Sequence, residues 1–134
     1  MVAAKSGALR ELVPWSNRAD TALRKMLAGP SGPAIAHSVQ GIAHPTGKNG
    51  ELGDVDVRHV GDLLSVRIPV DWTGGFLGGH YTTVVLWEFD EAHHIDAKIV
   101  SDNAPVGVAA SNERRVDDYF RSQVFPPLQA NVGN

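Results

Sequence analysis

Residues 63–102 read LLSVRIPVDWTGGFLGGHYTTVVLWEFDEAHHIDAKIVSD, and they divide into three consecutive antiparallel strands joined by two turns. In residues 63–70, Leu64, Val66, Ile68 and Val70 fall on one face, followed by Trp72, with Ser65 and Arg67 opposite. A period of two marks a half-buried strand. In residues 80–90, Thr82, Val84 and Leu86 alternate with Tyr81, Thr83, Val85, Trp87 and Phe89. Both sets are apolar in mid-strand, which predicts an inner strand covered on both sides. Residues 95–102 set Ile95, Ala97 and Ile99 against Asp96, Lys98 and Asp102, giving one covered face and one wet one. Pro69 carries no amide hydrogen, so its place in the first strand predicts an edge position or a bulge.

The flanks supply helices. Ser6 is positioned to cap a short helix over residues 6–13, ended by Pro14. A second is predicted from Ser16 or Asn17 to Ala28, with Ala19, Ala22, Leu23, Met26 and Leu27 on one stripe. Gly29-Pro30 stops it. Residues 34–43 read as a weakly patterned strand, and residues 44–52, with Pro45, Gly47 and Asn49-Gly50, as a turn. Residues 54–60 form a short peripheral strand. After a loop at residues 103–110, Ser111 caps a last helix with Val116, Tyr119, Phe120 and Val124 on one face. Pro126-Pro127 is read as its end, with a frayed tail to Asn134. The expected fold is a single α+β domain over residues 1–134. Its largely antiparallel curved sheet has about five strands, with N-terminal helices and a C-terminal helix packed on it.

Composition narrows the function. A chain of 134 residues with 43% hydrophobic and 20% charged residues can bury a core. It has no cysteine, which removes disulfides, thiolate metal sites and a cysteine nucleophile. Residues 1–30 carry five Lys and Arg against two acids, and the remainder seven against thirteen. An acidic sheet is unsuited to nucleic acid. Residues 1–12 lack a signal-peptide run, and no stretch approaches the ~20 apolar residues of a membrane span. A soluble, cytoplasmic chain without a membrane partner is expected.

No nucleophile elbow surrounds any serine. The loop Asp71-Trp72-Thr73-Gly74-Gly75-Phe76-Leu77-Gly78-Gly79 has two readings: a long hairpin connection, or a lid whose Phe76 and Leu77 swing over a pocket. Hairpin pairing brings Asp71 and His80 together, and Asp102 ends the third strand at the same end of the sheet. Two carboxylates about a histidine make an acid–base site, so Asp71, His80 and Asp102 are the candidate catalytic residues. Trp72, Phe76, Leu77, Tyr81 and Trp87 are the candidate ligand-binding residues, the alternative for the aromatics being plain core packing. His93 and His94 point opposite ways in an extended chain, and His37, His44 and His59 lie on separate elements. No metal and no cofactor are therefore expected.

Residues 82–102, with Trp87-Glu88-Phe89-Asp90 before a polar turn and a strand from Ile95 to Asp102 after it, resemble the closing hairpin of SnoaL-like proteins. These belong to the cystatin-like, ketosteroid-isomerase-like superfamily. The resemblance implies a cone-shaped α+β fold with an apolar pocket between sheet and N-terminal helices. The superfamily includes isomerases, cyclases, hydrolases and non-catalytic binders. The chain departs from it in having a helical region that ends early, at Gly29, and no acid matching the family's general base in its first helices. The leading expectation is a small-molecule-binding domain for an apolar or amphipathic molecule, with weak acid–base catalysis. The alternative is a non-catalytic protein-interaction or self-association module. A homodimer through the outer sheet face, using Leu63, Thr82, Val84, Leu86 and Val100, is expected in either case.

Overall fold

The computed structural model describes residues 13–74, 78–104 and 110–133, without the side chains of Ala110 and Ser111. Helix α1 (Trp15–Ala28) and helix α2 (Ser31–Ala43) precede the sheet. The strands are β1 (Gly47–Leu52), β2 (Asp56–Val60), β3 (Leu63–Gly74), β4 (His80–Phe89) and β5 (Ile95–Asp102). A C-terminal helical run follows: α3 (Ala110–Tyr119), a wide π turn (Phe120–Val124) and α4 (Phe125–Val132). All strand pairings are antiparallel, in the order β1–β3–β4–β5, with β2 also on β3. The fold is α+β, as expected, with the helices packed on an open five-stranded antiparallel sheet. No helix among the described residues is long and apolar enough to cross a membrane.

The meander lies where the alternation put it. Leu64, Val66, Ile68, Val70 and Trp72 of β3 and Thr83, Val85, Trp87 and Phe89 of β4 are buried on one face. Trp15, Ala19 and Leu23 of α1 and Phe120, Phe125 and Leu128 from the C-terminal run join the same core. Phe120 packs on Trp87 and Phe89, with ring centroids 4.9 and 5.0 Å away. Ile99 of β5 is only half-buried. β4 is not covered on both sides: Thr82, Val84 and Leu86 stay half-exposed, because the helices pack on the opposite face.

Four other expectations are corrected. Residues 34–43 are helical, within α2, because Ile35, Val39 and Ala43 recur every four residues and bury one helical stripe with Gly32, Ala36 and Gln40. Residues 47–52 are a strand, not a turn. Asn49-Gly50 is a bulge in β1, with Asn49 at φ 57°, so the residues that favour turns also supply the positive φ a bulge accepts. α2 lies so close here that a Cβ on Gly50 would stand 2.8 Å from the Ala36 carbonyl oxygen. Pro126-Pro127 opens a helix instead of closing one, because the first turn needs no amide donors, and Leu128 and Val132 then bury against the core in place of a frayed tail. α1 also begins earlier than predicted, with Pro14 at its cap position. The helix expected over residues 6–13 lies, for residues 6–12, outside the described residues, as does most of the 103–110 loop.

Pro69 lies in an inner strand, yet at a local edge. β2 pairs with β3 as far as Arg67 and β1 from Val70, so Pro69 falls in the gap between them. Its carbonyl accepts the Gly53 amide at 2.8 Å on that side. The nitrogen of an extended residue points the same way as its carbonyl, so the missing donor costs the β4 ladder nothing. The β4–β5 turn is held by Asp90, which accepts from the His94 amide at 3.0 Å and contacts the His94 ring at 2.9 Å.

Val66 is fully buried, so Val66→Ala should destabilise the chain by about 1–3 kcal/mol in urea denaturation. Desolvation works to raise the Asp90 pKa, but the His94 ring and the His94 and Ala92 amides outweigh it and hold the carboxyl below its ordinary value of 3.8. A depressed carboxyl stabilises the fold above its unfolded pKa and loses that contribution as pH falls through the folded one. Asp90→Asn should therefore lower stability at neutral pH and flatten the decline below about pH 4 in acid titrations followed by circular dichroism.

Candidate functional site

Trp72 ends the buried face of β3, and the polar groups at this mouth of the sheet gather around it. Its indole N–H donates to Thr83 Oγ1 at 2.9 Å, within the core. Thr83 in turn donates to Asp102 Oδ1 at 3.3 Å, and the Ala104 amide donates to the same oxygen at 3.1 Å. Asp102 Oδ2 lies 2.5 Å from His44 Nε2. The His44 ring stacks on Trp72, 4.6 Å between centroids and 26° from parallel. The two side chains are 12% and 8% exposed.

β5 reaches this site through one extra residue. Val85 pairs with Ile99 but Val84 pairs with Ser101, leaving Val100 unpaired as a bulge. Strict alternation puts Asp102 with Asp96 and Lys98 on the wet face. The bulge reverses the parity beyond it, so Asp102 lies opposite Thr83 on the helix-packed face.

His44 is fixed through its backbone. Its amide donates to the Gln40 carbonyl at 2.7 Å, and its own carbonyl accepts from Gln40 Nε2 at 2.6 Å and the Gly47 amide at 2.9 Å. Asn112 Nδ2 bonds the Ala43 carbonyl at 3.2 Å, tying α3 to the end of α2. Gly47 lies under the Trp72 ring, where a Cβ would stand 2.4 Å from Cε3.

Asp102 accepts O–H and N–H donors on Oδ1, and with Asp102 as a carboxylate His44 Nε2 donates to Oδ2. In the neutral ring the lone pair is then on Nδ1, which has no hydrogen-bond partner among the described residues. A carboxylate behind an imidazole orients the ring and holds its tautomer, the arrangement a general base uses.

The residues predicted from the sequence separate. Asp71 and His80 lie on the outer face, exposed, opposite Thr82 and Thr73; Asp71 accepts from Thr82 Oγ1 at 2.6 Å. With Trp72, His37, Glu51 and Thr73 they line a shallow hollow of about 360 Å3. Asp102 is on the other face with His44, so Asp71, His80 and Asp102 do not form one cluster. Tyr81, not His80, faces Trp72, with ring centroids 5.0 Å apart, and its hydroxyl donates to the Gly78 carbonyl. Trp87 is core, and its indole nitrogen is buried without a partner among the described residues. Phe76 and Leu77 lie outside the described residues. Sequence reading missed His44, whose only signal is a histidine between an apolar helix and a Pro-Gly turn. Among the described residues no group of three or more His, Asp or Glu is placed to hold a metal ion.

Asp102→Asn should change the His44 tautomer mixture, read as altered imidazole 15N shifts, because an amide can offer Nε2 a donor where the carboxylate cannot. Gly47→Ala should displace Trp72 and shift its fluorescence, with about 1–3 kcal/mol lost in stability, as overpacking costs.

No family model, no curated protein and no solved structure matches the chain.

Proposed function

We propose that this chain is a small-molecule-binding domain that moves a proton on an apolar or amphipathic ligand, with His44 as the base and Asp102 as its partner. The observation that carries the reading is the His44–Asp102 pair, stacked on Trp72 and almost removed from water. Trp72 and Tyr81 supply apolar wall beside it. The middle of the sheet is filled by Trp87, Phe89 and Phe120, so the ligand engages the mouth and not the centre.

The SnoaL-like reading draws support from two features. The helical region before the sheet runs to Ala43, longer than the sequence led one to expect, and β4 and β5 form the closing hairpin with Asp102 at its end. The acid–base group would then come from the α2–β1 turn and the last strand instead of from the first helices.

Titrating the protein with small apolar ketones and phenols should shift the side-chain resonances of His44, Trp72 and Tyr81, and His44→Gln should preserve that binding while removing any proton exchange at the ligand. Absence of shifts at all three residues across such a panel ends the proposal.

A second reading, self-association, is favoured by the outer sheet face. Leu63, Val84 and Leu86 are half-exposed there, Val60 is 65% exposed beside Leu63, and Val100 is 38% exposed in its bulge. Apolar patches of several hundred Å2 are uncommon on monomers. Sedimentation velocity should show a dimer, and Leu86→Lys should dissociate it; a wild-type monomer at high micromolar concentration removes this reading.

A further inference from the structure

We propose that the groove between α1 and α4 binds a single-chain carboxylate amphiphile, of the class of medium-chain fatty acids. The groove encloses about 650 Å3 and is more apolar than polar in its lining. That volume is ample for one short alkyl chain. Val13, Ala22, Met26 and Val132 form its walls, and Arg18 and Lys25 stand in it as cations. No acidic side chain is among the described lining residues, and neither cation makes an ion pair with a described residue. Charge therefore selects an anion, and the walls select one with an alkyl tail.

The sequence builds this face directly. Arg18, Ala22 and Lys25 recur at i, i+4 and i+7 on α1, so a small residue opens the floor between two cations. The Arg18 guanidinium is oriented by α4: Nη1 donates to the Val132 carbonyl at 3.3 Å, at the end of that helix. Its Nε is enclosed by protein and has no acceptor among the described residues. The enclosed Nε is out of reach of a ligand in the groove, so the guanidinium meets an anion through Nη2, by a charge-assisted hydrogen bond. A carboxylate on the Arg18 guanidinium leaves its alkyl chain the apolar walls of Ala22 and Met26, with Lys25 adding positive charge to the same groove. This site is separate from His44 and does not rest on the acid–base reading.

Octanoate and 1-octanol are the probes, titrated into the 15N-labelled full chain below any micelle threshold. Octanoate should shift the amides of Thr21, Ala22, Met26 and Val132, with 1-octanol binding about tenfold more weakly, the worth of one charge-assisted hydrogen bond. Arg18→Gln should weaken octanoate by about tenfold and leave 1-octanol unchanged. Because Arg18 also caps α4, Lys25→Gln serves as the variant that leaves that contact alone, and it should weaken octanoate by a smaller factor. Equal binding of octanol and octanoate overturns the proposal, as does an absence of shifts on α1 and α4 or shifts centred on His44 and Trp72. Binding to phosphatidylglycerol vesicles without any response to octanoate also overturns it, in favour of a membrane-facing surface.

Discussion

The indole of Trp72 is a large side chain with one polar atom, and burying it at the end of β3 constrains everything placed near it. Its ring needs apolar faces, and its N–H needs an acceptor inside the core. Thr83 of β4, the diagonal neighbour of Trp72, provides the acceptor, and because a hydroxyl that accepts can also donate, the requirement passes on to Asp102. The carboxylate must then be compensated in turn, which Ala104 and His44 do from two different parts of the chain. One buried indole nitrogen is thus the origin of a polar network that joins β3, β4, β5 and the α2–β1 turn. Trp87, whose nitrogen has no partner among the described residues, shows that the fold tolerates such an orphan without building a site around it.

The sheet was legible in the sequence where strands are regular and illegible where they are not. Leu64, Val66, Ile68 and Val70 alternate without interruption, so face and register follow from a period of two. Val100 and Asn49-Gly50 each insert residues into a ladder, and an insertion has the same local sequence as its absence. The parity error this produced was confined to Asp102, but it moved that carboxylate across the sheet and away from Asp71 and His80. Placing His44 was harder still. Its partner is 58 residues away, and it stands beyond a helix that residues 34–43 disguise with small and β-branched side chains. The helix reading was available in the spacing of Ile35, Val39 and Ala43. Two prolines had the opposite effect at the C-terminus, where a rule about helix interiors hid a helix start.

The position of His44 also follows from what fills the rest of the interior. Phe120, Phe125, Trp87 and Phe89 meet under the middle of the sheet with ring centroids about 5–6 Å apart, so the α1 side of the domain is closed by aromatic packing. The π turn at Phe120–Val124 is part of that closure: a wide turn re-phases the helix so that Phe120, Val124 and Phe125 all face inward before the prolines begin α4. With the centre occupied, polar groups that must be partly buried can only collect at the ends of the strands. At the mouth they collect on Trp72.

The outer face does not repeat this arrangement, although it carries the same residue types. Asp71 and Thr82 are hydrogen-bonded there, and His80 and His37 share one hollow with Asp71 and Glu51, yet all four titratable groups stand in water. In water a carboxylate and an imidazole interact weakly, because the solvent screens their charges and competes for their hydrogen bonds. His44 and Asp102 differ from them in being desolvated and held at hydrogen-bond distance by backbone contacts on both partners. Proximity in the fold gave both faces a histidine and an acid; burial against an aromatic ring is what sets one of the two pairs apart.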